Sequence, residues 1–261
     1  MHIRRPQTLR VLAAVLCSLV FAPVPKLHAL SAVPVVVELR ESGPRKAATL
    51  KVYNDADRAV PVELRVNRMD VTEHGRIVRS ASDGNLIVFP PRALVAPGDT
   101  QIVNVVWQGD KPLTESRSYT ITAREVLVEP EQQSRNQNQV ALHLTVIANV
   151  APRDGTADLN VIDIETQSRA AALPQGSGSV PDVLTRKVAI TIENTGTMHG
   201  RFTSGSLRVS GGDWEARLTT NDLLKLSGVG IVQPGKRRRF VVPIQVPSSV
   251  GALQVTYQPP R

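Results

Sequence analysis

Residues 95–107 read VAPGDTQIVNVVW, a Pro97-Gly98 turn placed immediately before a strand that closes on Trp107. The device returns at residues 232–244, VQPGKRRRFVVPI, around Pro234-Gly235. Upstream of each copy a short strand-like run ends on an asparagine turn: Ala48–Asp55 is ATLKVYND and Val188–Gly196 is VAITIENTG. Asn54 precedes Pro97 by 43 positions, and Asn194 precedes Pro234 by 40. Two matched signals at matched separation predict two domains of related strand order, each about 100 residues long, the size of an immunoglobulin-like sandwich.

The remaining sequence agrees with an all-β chain. Runs rich in Val, Ile, Leu and Thr, bounded by Gly, Pro, Asn and Asp, recur at Thr49–Tyr53, Pro61–Val66, Gln101–Trp107, Ser118–Val128 and Gln139–Val150. No stretch combines sustained helical periodicity with capping residues. The first domain is expected over residues 30–152 and the second over 156–261, divided where Pro152-Arg153-Asp154-Gly155 stops a long strand. Ser168–Asp182, with Pro174, Gly176, Gly178 and Pro181, reads as a long loop of the second domain.

Residues 1–29 have the order of a secretory signal. Arg4, Arg5 and Arg10 precede an apolar run from Val11 to Phe21, and Leu27-His28-Ala29 supplies a small residue for cleavage. The apolar run is far shorter than the roughly 20 residues that cross a bilayer, so no membrane span is expected. Lipidation at Cys17 is disfavoured, because Leu16 stands where such a signal wants a small residue. Cleavage after Ala29 leaves 232 of the 261 residues and removes the single cysteine, so the exported fold rests on burial without disulfides. It also removes four cations and no acid, which lowers the formal charge from +8 to +4. With aromatic residues at only 3%, that excess leaves no footprint for nucleic acid. The run Lys236–Arg239 reads as a solvated strand entry.

Residue types for chemistry are sparse. His74, His143 and His199 are the histidines beyond residue 29, none at ligand spacing to another, and no P-loop, G-x-S-x-G or G-x-G-x-x-G follows a strand. No cofactor or metal and no catalysis are expected. His143 reads as an outward position of an alternating strand, His199 as a turn residue. Arg124 has a structural role, either buried and paired with Glu125 or another acid, or on an exposed face.

Residues 139–150, QVALHLTVIANV, are the unusual element. By period two Val140, Leu142, Leu144, Val146, Ala148 and Val150 share one face, opposite Ala141, His143, Thr145, Ile147 and Asn149. The polar stretch Glu129–Asn138 leads into it. One reading makes this the last core strand of the first domain; a sharper one makes part of it an edge that offers apolar side chains to a partner.

Asn54-Asp55, Phe89-Pro90-Pro91, Val95–Gln101, Ser118-Tyr119, Arg124-Glu125 and Val140–Val150 closing at Pro152 together resemble the PapD-like periplasmic chaperones of chaperone-usher systems. Asn194-Thr195-Gly196, His199 and Val232–Gly235 are similar to the family's archaic branch, including its spore-coat and biofilm-pilus relatives. The resemblance implies two immunoglobulin-like domains in a boomerang, located in the periplasm, with no catalysis. Its partners would be pilus or coat subunits that lack a strand and an outer-membrane usher that receives them. Val140, Leu142, Leu144 and Val146 would be lent to the subunit by donor-strand complementation. Arg40 would be the counterpart of a basic residue that holds the subunit's terminal carboxylate, or else a solvated strand end; Ile147 stands where a second cation is expected, so either another cation such as Arg153 substitutes or anchoring differs in this branch. A structural or adhesive surface protein built from the same two sandwiches is the alternative.

Overall fold

The computed structural model describes residues 30–109, 112–126, 142–168, 185–225 and 229–260. The signal segment, Val140, the lead-in Glu129–Asn138 and residues 169–182 of the expected loop lie outside them.

Residues 30–151 form two sheets. One has the order β1 (Leu30–Val33), β3 (Ala47–Asn54), β8 (Thr100–Trp107), β6 (Leu86–Phe89). The other runs β2 (Val36–Arg40), β10 (His143–Ala151), β9 (Arg117–Glu125), β4 (Val60–Val71), with β5 (Ile77–Ser80) and β7 (Arg92–Val95) sharing the outer edge of β4. Alternation decides what goes inside. In β8 the residues Val103, Val105 and Trp107 are buried, and they meet Leu50 and Val52 of β3 and Tyr119 and Ile121 of β9 in one core. Facing sheets that interdigitate in this way are the architecture of a β-sandwich.

A second sandwich follows. Its sheets are β11 (Leu159–Ser168), β12 (Thr185–Asn194) and β17 (Arg237–Pro247), and β15 (Trp214–Leu218), β14 (Ser206–Gly211) and β18 (Gln254–Gln258). A small pair, β13 (Gly200–Arg201) with β16 (Ile231–Val232), lies beside them. Its core is separate, around Ile190, Ile192, Phe202, Val209 and Phe240. Among the described residues no strand pairing joins 30–151 to 159–258. One helical turn, α1 (Thr220–Leu224), departs from the all-strand expectation: Thr219 and Asp222 close a reciprocal capping box, and Leu223 is buried beneath it.

The two asparagine signals build the same corner twice. Asn54 is fully buried, and its Nδ2 donates to Arg58 O at 2.8 Å and Val95 O at 2.9 Å, while its Oδ1 accepts from Ala56 N at 2.9 Å. Its carbonyl receives Gly98 N at 2.9 Å. Asn194 repeats this: Nδ2 to Met198 O and Val232 O, both at 2.9 Å, Gly196 N to Oδ1 at 3.0 Å, and Gly235 N to the carbonyl at 2.9 Å. Gly98 and Gly235 have φ of 69° and 64°, left-handed backbone that a turn after proline requires and that glycine adopts without steric cost.

Hydrogen bonds join the two sandwiches. The side-chain amide of Gln233 accepts from Val71 N at 2.8 Å and donates to Met69 O at 2.9 Å, completing the end of β4. Arg239 N donates to Glu73 O at 2.8 Å. Arg238 lies buried over the ring of Phe240, 5.0 Å from its centroid, with Nη1 donating to Ile231 O at 2.7 Å. The expectation of a solvated basic run over Lys236–Arg239 holds for Lys236 and Arg237, which are exposed, and is corrected for Arg238 and Arg239, which sit at the contact between domains; burial pushes the Arg238 guanidinium down from its ordinary value.

Candidate functional site: a half-covered strand

β10 changes character along its length. From Ile147 to Ala151 it is sandwiched, antiparallel to β9 on one side and parallel to β2 on the other, with Ile147 opposite Val36 and Ala151 opposite Arg40. From Leu142 to Val146 only the β9 side is filled among the described residues. Glu125 N donates to Leu142 O, so the even-numbered residues turn their main-chain groups toward β9. Ile147 N donates to Val35 O on the opposite side, so by alternation the N–H and C=O of His143 and Thr145 face an open edge. An unpaired edge of this kind is a template for another strand.

Side chains along this edge grade from core to surface. Val146 is 2% exposed and belongs to the sandwich's own core, Leu144 packs against that core half-buried, and Leu142 is half-buried. Exposed Val33 and Val35 flank Pro34, where the chain crosses from β1 to β2 beside the same edge. Val140 lies outside the described residues. His143 is exposed, as alternation predicts.

Arg40 donates from Nη1 to Pro152 O at 2.8 Å, gripping the linker just after β10. It also lines a cavity of about 530 Å³ between the two sandwiches, together with Arg45, Arg201, Leu159 and Tyr257. Ile147 is half-buried between Val36 and Thr120. Arg79 of β5 reaches over this face to Thr145 Oγ1 at 3.4 Å, whereas Arg153 is engaged through its main-chain N, which donates to Glu41 Oε1 at 3.0 Å.

His199 corrects the reading of a turn residue. It is buried at the domain contact, with Nε2 2.7 Å from Glu38 Oε2 and Nδ1 3.0 Å from Ser116 Oγ. An ionised carboxylate only accepts, so in the neutral ring Nε2–H donates to Glu38 and Nδ1 accepts the serine hydroxyl. Glu38 also meets Asn149 Nδ2 at 3.4 Å, and Ser118 Oγ donates to Asn149 Oδ1 at 2.8 Å. Serine, histidine and glutamate in one chain of contacts are the residue types of a hydrolytic triad. Here, however, Ser116 Oγ also accepts the backbone N–H of His199 at 3.0 Å and is buried, which suits a joint between domains and not an attacking group. Nothing in the sequence near His199 marks Glu38 or Ser116 as its partners.

Arg124 pairs with Glu63 at 2.8 Å, not with Glu125, whose carboxylate is taken by Arg58. Among the described residues no group of three His, Cys, Asp or Glu side chains is placed to hold a metal ion, and no helix is long and apolar enough to cross a membrane.

Comparison with known proteins bears on the whole arrangement. Residues 32–151 match the family model described as pili and flagellar-assembly chaperone, PapD N-terminal domain. No curated protein matches the sequence. Among solved structures, the chain is similar to the class 5 fimbriae chaperone CfaA at 10% identity, with a TM-score of 0.51 over 89% of this chain and 100% of that one. It is similar also to a chain from the complex of Salmonella enterica SafA pilin with the SafB chaperone, at 14% identity, TM-score 0.50, over 90% and 98% of the two chains. A chain from the chaperone–tip adhesin complex of CFA/I fimbriae matches at 11% identity, TM-score 0.50, over 89% and 100%. At such identities the likeness is one of fold, and it extends over both sandwiches.

Proposed function

Because the chain belongs to the PapD-like family of pilus-assembly chaperones, we propose that the open edge of β10 is where it takes hold of a pilus or coat subunit. The subunit, an immunoglobulin-like fold short of one strand, pairs its main chain with His143 and Thr145. It receives Leu142 and Leu144, and Val140 beyond them, in its apolar groove. The observation that carries this reading is the half-covered strand itself: alternating apolar side chains on a segment whose outer main-chain groups have no partner among the described residues. Val146, already in the chaperone's core, marks where lending stops and anchoring begins.

Each leucine, if fully buried by the subunit, contributes about 1.5–3 kcal/mol, less what it buries already. Ordering of the subunit offsets part of the sum, so the complex is firm but exchangeable. Exchange then passes the subunit to an outer-membrane usher. Residues 1–29 direct the chain to the periplasm and are removed there, and 30–152 and 156–261 act as the two folding units. Arg40, with donors beyond its contact to Pro152 and a place in the interdomain cavity, holds the subunit's terminal carboxylate.

Co-expression with candidate pilus subunits tests the reading. Wild-type chaperone retains subunit on co-purification, Leu142→Asp with Leu144→Asp does not, and Arg40→Ala weakens retention about tenfold. Retention unchanged by the double substitution would refute strand donation. Stable incorporation of the chain into assembled fibres would favour the structural or adhesive alternative.

A further inference from the structure

Two consecutive residues at the end of β2 grip the linker between the sandwiches. β10 closes at Ala151, opposite Arg40, and the chain then turns, Gly155 N donating to Pro152 O at 3.4 Å. Arg40 Nη1 donates to Pro152 O at 2.8 Å, and Arg153 N donates to Glu41 Oε1 at 3.0 Å. That carbonyl and that N–H belong to one peptide unit, the one joining Pro152 to Arg153. In a trans peptide they point in opposite directions, so Arg40 and Glu41 hold its plane from opposite sides. Glu41 N, donating to Ala151 O at 3.0 Å, carries the strand pairing up to this clamp.

Glu41 is 5% exposed, and a carboxylate is costly to bury unless its oxygens are satisfied. Its other oxygen, Oε2, accepts the main-chain N–H of Leu113, so one side chain ties the linker to the segment that precedes β9. A neutral amide would serve one of these donors and turn its own NH2 toward the other. Only the carboxylate meets both, and the clamp on the linker depends on it. Arg40 depends on the clamp in turn. Among the described residues its hydrogen bonds go to linker carbonyls alone, Pro152 O and, at 3.5 Å, Arg153 O. Nη1 makes both, which leaves Nη2 and Nε of the rigid guanidinium fork beside the interdomain cavity that Arg40 lines.

On the reading of Arg40 as the anchor of a subunit's terminal carboxylate, we propose that Glu41 is the positioning residue for that capture. It touches no ligand. By fixing the peptide between Pro152 and Arg153 it fixes the carbonyl against which the guanidinium is set. The remaining donors of Arg40 are thereby aimed before a carboxylate arrives, and the cost of ordering a long side chain on binding is reduced.

The test titrates sodium acetate, a small carboxylate, into the protein labelled with 15N-arginine and follows the Nε–H signal of Arg40, with sodium chloride at equal ionic strength as control. The wild-type signal is expected to shift with acetate and not with chloride. Glu41→Gln should bind acetate about fivefold more weakly, the effect of about one lost hydrogen bond. Arg153→Pro and Arg153→Ala lose the same side chain, but only the first also loses the N–H. Arg153 is the second residue of the turn from Pro152 to Gly155, where proline fits, so this pair decides the matter even if Glu41→Gln does not fold. The proline variant should bind acetate about fivefold more weakly than the alanine variant. Equal affinity within that pair, or a lowered unfolding temperature in Glu41→Gln with acetate affinity unchanged, would mark Glu41 as merely structural and overturn the proposal. An Arg40 signal that acetate leaves unmoved in the wild type would instead refute Arg40 as an anchor, and the positioning role with it.

Discussion

The two halves of β10 carry the same alternating sequence and have opposite fates. Ala148 and Val150 are buried between two neighbouring strands and a core, whereas Leu142, Leu144 and Val146 lie on a stretch with a neighbour on one side only, and of these Val146 alone is buried in the core. The difference comes from β2, which begins at Val36 and so covers the strand only from Ile147 onward. Where a strand is exposed is therefore decided by the length of its neighbour, not by its own composition.

That contrast breaks most sharply under charge. Leu142→Asp with Leu144→Asp is expected to reduce subunit retention to background while lowering the free protein's unfolding free energy, read from urea unfolding, by about 1 kcal/mol. Val150→Ala, in the covered half, should do the reverse: about 2 kcal/mol of stability lost, read from urea unfolding, with retention changed only in proportion. Hydrogen exchange sharpens the boundary. In the free protein the amides of His143 and Thr145 exchange quickly and that of Ile147 slowly, and a bound subunit brings the first two to the rate of the third. The smallest effect concerns acid. Hydrogen bonds from Arg65 first, then Arg92 and Arg124, hold the folded-state pKa of Glu63 below its ordinary 4.5, at about 2, so its contribution is complete above the unfolded value and fades as pH falls from about 4.5 toward 2. The stability difference between wild type and Glu63→Gln, followed by thermal unfolding, should shrink across that window and be flat above it.

The corners at Asn54 and Asn194 show what a sequence discloses. Each signal is local on both sides: an asparagine at a strand end, a Pro-Gly turn some forty residues on, and one buried amide joining them. The alternation of residues 139–150 is equally local, and it placed the half-buried leucines on the face they occupy. What stayed hidden depends on register between distant strands. Glu63 acquires Arg92 and Arg124 only because β7 and β9 align with β4, and His199 finds Glu38 across 161 positions. Arg238 and Arg239 of the basic run misled for the same reason, since nothing in the run reveals the turn of the other domain lying against it.

Gln233 closes the end of β4 with an amide that uses one donor and one acceptor there, in the manner of a peptide unit. It addresses main-chain atoms of Met69 and Val71, so the joint is blind to which side chains those positions carry. The strand beneath it is free to change its residues over evolutionary time without loosening the grip, provided the glutamine stays: a glutamate there would keep the acceptor for Val71 and lose the donor for Met69.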